Sequence, residues 1–486
     1  MFGYFEYIFL FLPPVIAVYF IINRSGYTDA GRIFLLGASL CFYGLWNVIY
    51  LPLLLLSIVA NFYIARAMTN PAGFLIRIPK KAIVAVGICL NVGLLGYLKY
   101  SDFLIQNVNM VLGSGIGLLK IAVPLGISYY TLSQVAFLVD TYRGRIGKNP
   151  FIPYALFVSF FPKVSQGPIA LQFEMVPQFM DREKSRFNPE NFARGLFLIA
   201  LGFFKKLVLA DNLGVWATQG FDVAPVLPLL EAWFTALSFC FQIYFDFSGY
   251  TDIAIGAGLL FNIRVPDNFL SPYKSLSFQE LWRRWHITLG RFLREYIYIP
   301  LGGNRNGEFR TYVNLVITFI ISGFWHGPTW NYVLWGALNG LGLIIHRAWR
   351  KTGLGMHWFL AWFLTFMYWN FTAIMWRATS VKAALKVLGG MIGLDGVILP
   401  ASFEKCGFLR SLGIQFGPWL GQLGDKQYYY IFLIIASGTI IFFTKNSIEL
   451  SERLKPNLKW ALYTALLFGI SIIHLTQVSQ FIYANF

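Results

Sequence analysis

A histidine inside a long apolar stretch is the first residue of this sequence that could do chemistry. The stretch "ISGFWHGPTWNYVLWG" runs from Ile321 to Gly336 and places His326 directly before Gly327 and Pro328. An imidazole, with a pKa of about 6.5, can accept or donate a proton near neutral pH. A buried histidine whose ring is satisfied by a backbone carbonyl is the alternative. Because ionisable groups within apolar segments are functional-site hypotheses by default, we expect His326 to be catalytic.

The same stretch predicts a break in a helix. Residues Tyr312 to His346 are apolar apart from a few positions, and one helix of that length would measure about 52 Å, too long for one ordinary membrane span. Pro328 removes a backbone donor and disfavours helical geometry at Gly327. We therefore predict two helices that meet at "WHGP", with His326 facing a cavity and not lipid.

A basic and aromatic segment precedes this stretch in the sequence. In "LWRRWHITLGRFLREYIYIPLGGNR", Leu281 to Arg305, a helical wheel at about 100° per residue puts four arginines on one arc and an apolar set with a histidine on the other. The first fifteen residues would form one helix of about 22 Å, too short to cross a membrane. The arginines are Arg283, Arg284, Arg291 and Arg294, and the opposite set includes Trp282, Trp285 and His286.

Two interpretations of this helix stay open at this stage. It could lie in the membrane interface with its arginines on lipid phosphates. It could instead roof an internal cavity, with the arginines facing cytosolic anions. The "PLGGNR" sequence predicts a tight turn at Gly302 and Gly303, with Asn304 and Arg305 just beyond it.

Five histidines are present, and two of them carry the functional prediction. His286 is the natural partner of His326, whereas His346, His357 and His474 lie near predicted membrane boundaries or helix ends, and we expect structural roles for them. A metal site needs three or four ligands, and no HxxH, HExxH or Cys/His cluster is present. We therefore predict no metal. A GxSxG elbow and a glycine-rich phosphate loop are also missing.

The elements that position these residues must be membrane helices. The chain has 486 residues, of which 57% are hydrophobic and only 13% are charged, against about 25% charged in soluble proteins. The expected fold class is all-α, a polytopic integral membrane protein with about 10 to 12 membrane segments. Several apolar runs in the middle third contain proline or glycine, which predicts broken or re-entrant helices around an internal tunnel.

Three regions follow from this pattern. Residues 1–120 are predicted to form N-terminal membrane helices, 121–350 the core with both histidine motifs, and 351–486 C-terminal membrane helices. The connection "NVIY", Asn47 to Tyr50, lacks basic residues, whereas the connections near Arg24 and Arg66 contain them. The positive-inside rule therefore predicts an N-terminus outside the cytosol.

The net charge of +17 and the cysteines exclude other classes. Basic inner loops and anionic membrane lipids account for most of the charge, so we expect no nucleic acid partner. The four cysteines lie far apart, which excludes a disulfide framework, and we interpret them as core thiols.

The motifs together resemble the membrane-bound O-acyltransferase family, in particular its bacterial polysaccharide-acetylating branch, typified by the alginate O-acetyltransferase membrane subunit. The terminal "QFIYANF" is similar to the ending of that branch. The matching stretches are "VPLGISYYTLSQ", "FFPKVSQGPI", "GFFKKLVLAD", "YFDFSGYTDIAIG", "LWRRWHITLGRFLREYIYIPLGGNR" and "SGFWHGPTWNYVLWG". By motif, His326 matches the essential histidine of the family and His286 matches its second histidine. One departure is Asn339 in "WGALNG", where many relatives have a histidine.

The resemblance implies acyl transfer across a bacterial inner membrane. A cytosolic acetyl thioester, acetyl-CoA or a carrier-bound thioester, would be a co-substrate and not a bound cofactor. The acetyl group would pass to a hydroxyl acceptor for alginate-like exopolysaccharide, through a periplasmic acetyltransferase partner. Trp282, Trp285 and Trp325 would line a dry tunnel. The four arginines, with Asn304 and Arg305, would hold the donor.

Other functions remain open from the sequence. A D-alanyl transferase or a peptidoglycan O-acyltransferase would share the family and its chemistry. A transporter or proton relay would also use a buried histidine and broken helices. A scaffold for a polysaccharide export complex would tolerate loss of both histidines. The sequence does not identify the polymer, nor does it separate a general base from an acetyl-histidine intermediate.

Overall fold

The fold is described from a computed structural model that covers residues 5–411, 413–424 and 426–475. Its regular structure is helical apart from one small two-stranded sheet, which confirms the all-α prediction. The terminal "QFIYANF" lies outside the described residues. The first helices, in chain order, are α1 Leu12–Arg24, α2 Thr28–Asn47, α3 Leu51–Thr69, α4 Lys80–Leu95, α5 Ser101–Leu112, α6 Ile127–Tyr142, α7 Phe151–Ser159, α8 Phe161–Val164, α9 Gln172–Met180, α10 Pro189–Phe203 and α11 Asp211–Thr218.

The second half contains the long core helices and a short sheet. The strands β1 Ile398–Pro400 and β2 Gln415–Gly417 pair in parallel. The helices are α12 Leu229–Leu260, α13 Phe278–Arg284, α14 Ile287–Leu293, α15 Glu308–His326, α16 Trp330–Thr352, α17 Trp358–Arg377, α18 Val381–Met391, α19 Gly407–Ser411, α20 Gln427–Phe443, α21 Ser447–Glu452 and α22 Leu458–Ile473.

Four helical runs of the described chain are long and apolar enough to cross a membrane. They are Glu6–Arg24, Thr28–Thr69, Lys80–Leu112 and Trp358–Arg377, and the shorter apolar helices are Gln427–Phe443 and Leu458–Ile473. The run from Thr28 to Thr69 consists of α2 and α3, joined by a 3₁₀ turn at Val48–Tyr50, as the "NVIY" connection predicts. The prediction of about 10 to 12 segments, the tunnel and the three-region division stay predictions.

Buried ion pairs join the continuation of α10 to α12, and Ser447 of α21 hydrogen-bonds to one of these pairs. Lys205 and Lys206 lie in a π-helical segment, Phe204–Ala210, that continues α10. The Lys205 ammonium lies 2.7 Å from Asp252, and the Lys206 ammonium lies 2.7 Å from Asp246. Breaking a buried pair by removal of one partner costs about 3–5 kcal/mol. These contacts therefore fix the helices that surround the candidate site.

The predicted helix break at "WHGP" is confirmed. Helix α15 ends at His326, Gly327 is extended with φ of −174°, and α16 begins at Trp330. The predicted turn at "PLGGNR" is also confirmed, because Gly302 and Gly303 have φ values of 107° and 56°.

Two other predictions are wrong. The segment from Leu281 to Glu295 is not one helix, because α13 ends at Arg284 and α14 begins at Ile287. Only Cys240 is a core thiol. Cys41, Cys89 and Cys406 are exposed, the first two on outward faces of α2 and α4, where apolar thiols can contact lipid.

Helices α15 and α16 pack through small residues, which brings the two backbones close to each other. A Cβ atom added at Gly336 would overlap the carbonyl oxygen of Phe319, and one added at Gly323 would overlap that of Tyr332. Small residues are the usual means of close helix approach in membranes. This packing holds the two arms of the break in a fixed relation.

Substitution of Gly336 by alanine should therefore separate the two arms. We expect Gly336→Ala to destabilise the protein by about 1–3 kcal/mol, the usual cost of overpacking, and to lower its melting temperature in detergent. Gly93→Ala is the matched control, since a Cβ there meets no atom within 4 Å and alanine favours helix by about 1 kcal/mol. Equal melting temperatures for the two variants would contradict the close approach.

Candidate active site

His326 lies at the end of α15 inside an aromatic enclosure. Its side chain is buried, with a relative exposure of 2%. The ring centroid lies 4.9 Å from that of Trp325, 5.1 Å from Trp335 and 6.3 Å from Trp376. Such an apolar surrounding excludes water, which strengthens polar interactions with any group that enters. The end of α15 therefore places the imidazole of His326 in a buried, apolar site.

His286 occupies the junction between α13 and α14. Its φ is 43°, in the left-handed region that a non-glycine residue seldom adopts. The residue is 1% exposed, and its Nδ1 atom lies 3.1 Å from Oδ1 of Asn268. The ring of Phe247 packs edge-on at 4.8 Å. The helical wheel predicted that His286 lies at the edge of the apolar face of one continuous helix. In the structure the residue is buried because the helix is interrupted between Arg284 and Ile287.

The two histidines, called here the histidine pair, lie side by side as predicted. Their ring centroids are 6.5 Å apart. Within the described chain, Nε2 of His286 has no hydrogen-bond partner, so it makes no direct bond to His326 in this structure. The spacing suits a small group, such as a hydroxyl, held between the two rings.

Lys99 is a residue of this site that sequence reasoning missed. It lies in a π-helical segment, Gly96–Tyr100, between α4 and α5. Its buried ammonium donates to the carbonyl oxygen of Trp325 at 2.7 Å, to Oγ of Ser128 at 3.2 Å and to the carbonyl oxygen of His326 at 3.5 Å. A lysine inside the apolar run "LLGYLKYSD" was the available signal, because charges within membrane segments are costly.

The three predicted tryptophans do not share one surface. Trp325 contacts His326, and its indole nitrogen donates to the carbonyl of Ser128 at 3.3 Å. Trp282 is one ring further away, 5.9 Å from Trp335. Trp285 stacks in the core, 4.7 Å from Trp369. Trp325 is therefore part of the immediate enclosure, Trp282 forms its second layer, and Trp285 packs behind them.

The four predicted arginines divide into two groups. Arg284 pairs with Glu280 at 2.8 Å, and Arg291 pairs with Glu174. These two arginines therefore hold carboxylate partners, and a shared donor-facing surface of all four stays a prediction. Arg283 and Arg294 are exposed, as are Asn304 and Arg305 in the glycine turn.

The other three histidines and Asn339 lie outside the histidine pair. His357 accepts from the Phe359 amide as a helix cap at 3.4 Å, and Nδ1 of His474 lies 3.0 Å from the carbonyl oxygen of Ile470. His346 is partly exposed on α16. Asn339 is buried and donates to the Trp335 carbonyl at 2.7 Å. The contacts of His357 and His474 agree with the structural roles predicted for them, and the role of His346 stays a prediction.

Metal ligands do not come together in the part of the chain that the structure describes. Across residues 5–411, 413–424 and 426–475, no group of three His, Cys, Asp or Glu side chains could hold an ion.

Removal of the Lys99 ammonium should loosen the helix break. We expect Lys99→Met to destabilise the protein by about 1.5–3 kcal/mol, the range for a hydrogen bond to a charged group, since the carbonyls of Trp325 and His326 lose their cation. Thermal unfolding of the purified protein measures this effect. Lys382→Met, at an exposed lysine of α18, is the control, and an equally small shift in both variants would contradict the contact.

Comparison with known proteins agrees with the resemblance noted in the sequence. The family profile described as "MBOAT, membrane-bound O-acyltransferase family" matches residues 118–381. The chain is 42% identical to the peptidoglycan O-acetyltransferase of Helicobacter pylori, over 99% of this chain and 96% of that protein. It is 36% identical to a probable alginate O-acetylase of Pseudomonas aeruginosa, over 79% of this chain and 73% of that protein.

A further relative extends the range of acyl groups. The chain is 24% identical to the teichoic acid D-alanyltransferase of Bacillus subtilis, over 48% of this chain and 61% of that protein. The histidine pair lies within the matched region of the family profile. The fold, the profile and the relatives lead to one conclusion: the chain belongs to the membrane-bound O-acyltransferase family and is a membrane acyltransferase.

Proposed function

We propose that this protein transfers an acetyl group from a thioester to a hydroxyl of a bacterial cell-envelope glycan, with peptidoglycan as the first candidate. The support for peptidoglycan is the 42% identity that extends along 99% of the chain. The identity to the alginate relative is 36%, and the alignment covers 79% of the chain. Alginate-like exopolysaccharide, the polymer favoured by the sequence motifs, is thus the second candidate.

The histidine pair is the observation that carries this proposal. Two imidazoles from distant segments meet at 6.5 Å inside an enclosure of tryptophan rings. A merely structural histidine at a helix break needs one carbonyl partner and no second imidazole. Ester formation from a thioester needs a base for the attacking hydroxyl, and a positioned imidazole contributes about 10²–10⁴-fold.

Two routes are consistent with this geometry. In the first, His326 takes the proton of the acceptor hydroxyl as its oxygen attacks the acetyl carbon and the C–S bond breaks. In the second, His326 carries the acetyl group briefly before the hydroxyl attacks. In the first route the departing sulfur gains the proton that the hydroxyl loses. In the second route the sulfur leaves with a proton from the imidazole, and the hydroxyl returns a proton to the ring when it later takes the acetyl group. The closed aromatic surroundings protect the reacting carbonyl from water.

The donor is proposed to be acetyl-CoA or a carrier-bound acetyl thioester on the cytosolic side. Arg283 and Arg294 are exposed, and they carry no ion pair within the described residues. Phosphate groups of a pantetheine-bearing donor are suitable partners for such guanidinium groups. Arg305 is also exposed, in the glycine turn that follows α14, and we include it among the candidate donor-binding residues.

The cellular setting is part of the same proposal. We propose that the protein lies in the inner membrane with its N-terminus toward the periplasm, and that a periplasmic acetyltransferase receives the acetyl group.

A transporter or proton relay would also place a histidine at a helix break. It would not need a second imidazole 6.5 Å away, and the acyltransferase relatives favour ester formation.

Loss of His326 should abolish acetylation. We expect His326→Ala, in cells that lack the chromosomal copy, to reduce ester-linked acetyl in isolated peptidoglycan by at least about 100-fold, the lower range for a positioned acid–base group. The same measurement on exopolysaccharide separates the two polymers. His357→Ala is the control, because that histidine caps α17 outside the enclosure. Wild-type acetyl content with normal protein abundance would contradict the catalytic role.

Charge reversal on the exposed arginines should weaken donor use. We expect Arg283→Glu combined with Arg294→Glu to raise the KM for the acetyl thioester about tenfold with a smaller change in kcat, since the loss affects binding. Steady-state kinetics in nanodiscs measure this. Arg310→Glu, an exposed arginine at the start of α15, is the control. Unchanged donor saturation in the double variant would remove these arginines from the donor site.

A further inference from the structure

Asn268 is a residue near the histidine pair to which no motif in the sequence assigned a role. It lies in the loop between α12 and α13 and is 1% exposed. Its Oδ1 atom accepts from the backbone amide of Thr288 at 3.1 Å and from the Thr288 hydroxyl at 2.9 Å. The same oxygen lies 3.1 Å from Nδ1 of His286. One carbonyl oxygen thus faces three polar atoms: Nδ1 of His286 and the amide nitrogen and hydroxyl oxygen of Thr288.

The orientation of this amide is fixed by chemistry. Side-chain amides are often ambiguous, because their oxygen and nitrogen have similar shapes. Here the backbone N–H of Thr288 can only donate, so the atom that it faces must be the oxygen. Consequently the atom opposite Nδ1 of His286 is an acceptor, and Nδ1 must carry a hydrogen.

The position of that hydrogen determines the other side of the ring. A neutral imidazole has one N–H, so Nε2 of His286 bears a lone pair and no hydrogen. This atom is buried and has no partner in the described chain. A buried acceptor without a partner costs about 1–3 kcal/mol, and the left-handed backbone at His286 adds strain. Cost and strain at one residue are typical of a site arranged for a ligand.

We propose that Asn268 is a positioning residue that holds His286 in the Nδ1–H form, so that Nε2 presents a proton-accepting lone pair beside His326. This inference rests on the proposed acyl transfer and specifies the role of the second histidine. In its neutral form His286 cannot donate to the oxyanion of the acetyl carbonyl. That stabilisation must come from other donors.

The lone pair on Nε2 of His286 can hold the proton that moves from the hydroxyl to the sulfur during acetyl transfer. The acceptor hydroxyl loses one proton as its oxygen bonds to the acetyl carbon, and the sulfur gains one after the C–S bond breaks. Nε2 of His286 holds this proton between the two events, whether the hydroxyl delivers it directly or through His326. No other reactant is needed, and the products are the acetyl ester and a free thiol.

The surroundings of His286 favour this role. In the described part of the chain, His326 faces His286, and the ammonium of Lys99 is bonded to the carbonyls at the end of α15. Helix α12 presents the ring of Phe247, and α15 presents the ring of Trp325 at 6.1 Å. The bond to Asn268 is therefore the polar contact that selects the tautomer.

Three variants separate positioning from structure. Asn268→Leu removes the acceptor and should lower kcat about 100-fold with a donor KM within threefold of wild type. Asn268→Asp keeps an acceptor oxygen and should restore kcat to within about tenfold of wild type. Thr288→Val is the matched control, since it removes two hydrogen bonds of the same cluster, to Asn268 and from the Ile169 amide, but leaves the His286 contact. Equal loss in Asn268→Leu and Thr288→Val would overturn the proposal.

The tautomer itself can be observed without any turnover. In the ¹⁵N,¹³C-histidine-labelled protein in lipid, solid-state NMR correlates the protonated nitrogen of His286 with Cγ when it is Nδ1 and with Cδ2 when it is Nε2. His286→Ala identifies the signal among the five histidines. We expect Nδ1–H in wild type and in Thr288→Val, and loss of that form in Asn268→Leu. An Nε2–H signal in wild type would overturn the proposal even if acyl transfer is confirmed, and absence of transfer with Nδ1–H present would instead contradict the proposed function.

Discussion

The hydrogen bonds that satisfy the broken end of α15 are the constraint on which the site depends. A helix that stops within a membrane protein leaves its last carbonyl groups without intrahelical donors. Here the Tyr100 hydroxyl donates to the carbonyl of Phe324 at 2.7 Å. The Lys99 ammonium donates to the carbonyls of Trp325 and His326. A cation at the C-terminal end of a helix is also favoured by its dipole. The break, which would otherwise be unstable, thus becomes a fixed position for an imidazole.

A second break completes the arrangement. His286 separates α13 from α14 and adopts a left-handed backbone conformation. The Asn268 side chain holds both the His286 ring and the backbone amide of Thr288, the second residue of the following helix. The two imidazoles therefore come from two interruptions, each stabilised by a polar side chain from another element. The tryptophan rings around them exclude water. Rigid supports of this kind are what acid–base chemistry needs, because it depends on sub-ångström placement.

The sequence predicted the parts of this site that depend on local rules. Gly327 and Pro328 indicate a helix end wherever they occur, so the break at His326 could be foreseen. The wheel failed at His286 because it assumes one continuous helix, and no proline or glycine marks that interruption. The Glu280–Arg284 pair has the usual four-residue spacing and was available from the sequence. The pairing of Arg291 with Glu174, and the approach of Lys99 to α15, join residues more than a hundred positions apart, which one sequence does not specify.

The central claim is that the histidine pair forms an ester across the membrane. The most direct measurement uses sealed proteoliposomes with a radiolabelled acetyl thioester on one side. Glycan fragments and the periplasmic fraction of the source cells are supplied on the other. Our account predicts base-labile acetyl ester on the glycan, together with an equal amount of free thiol on the donor side. Passage of label as free acetate, with no ester formed, would contradict it and would favour a transporter.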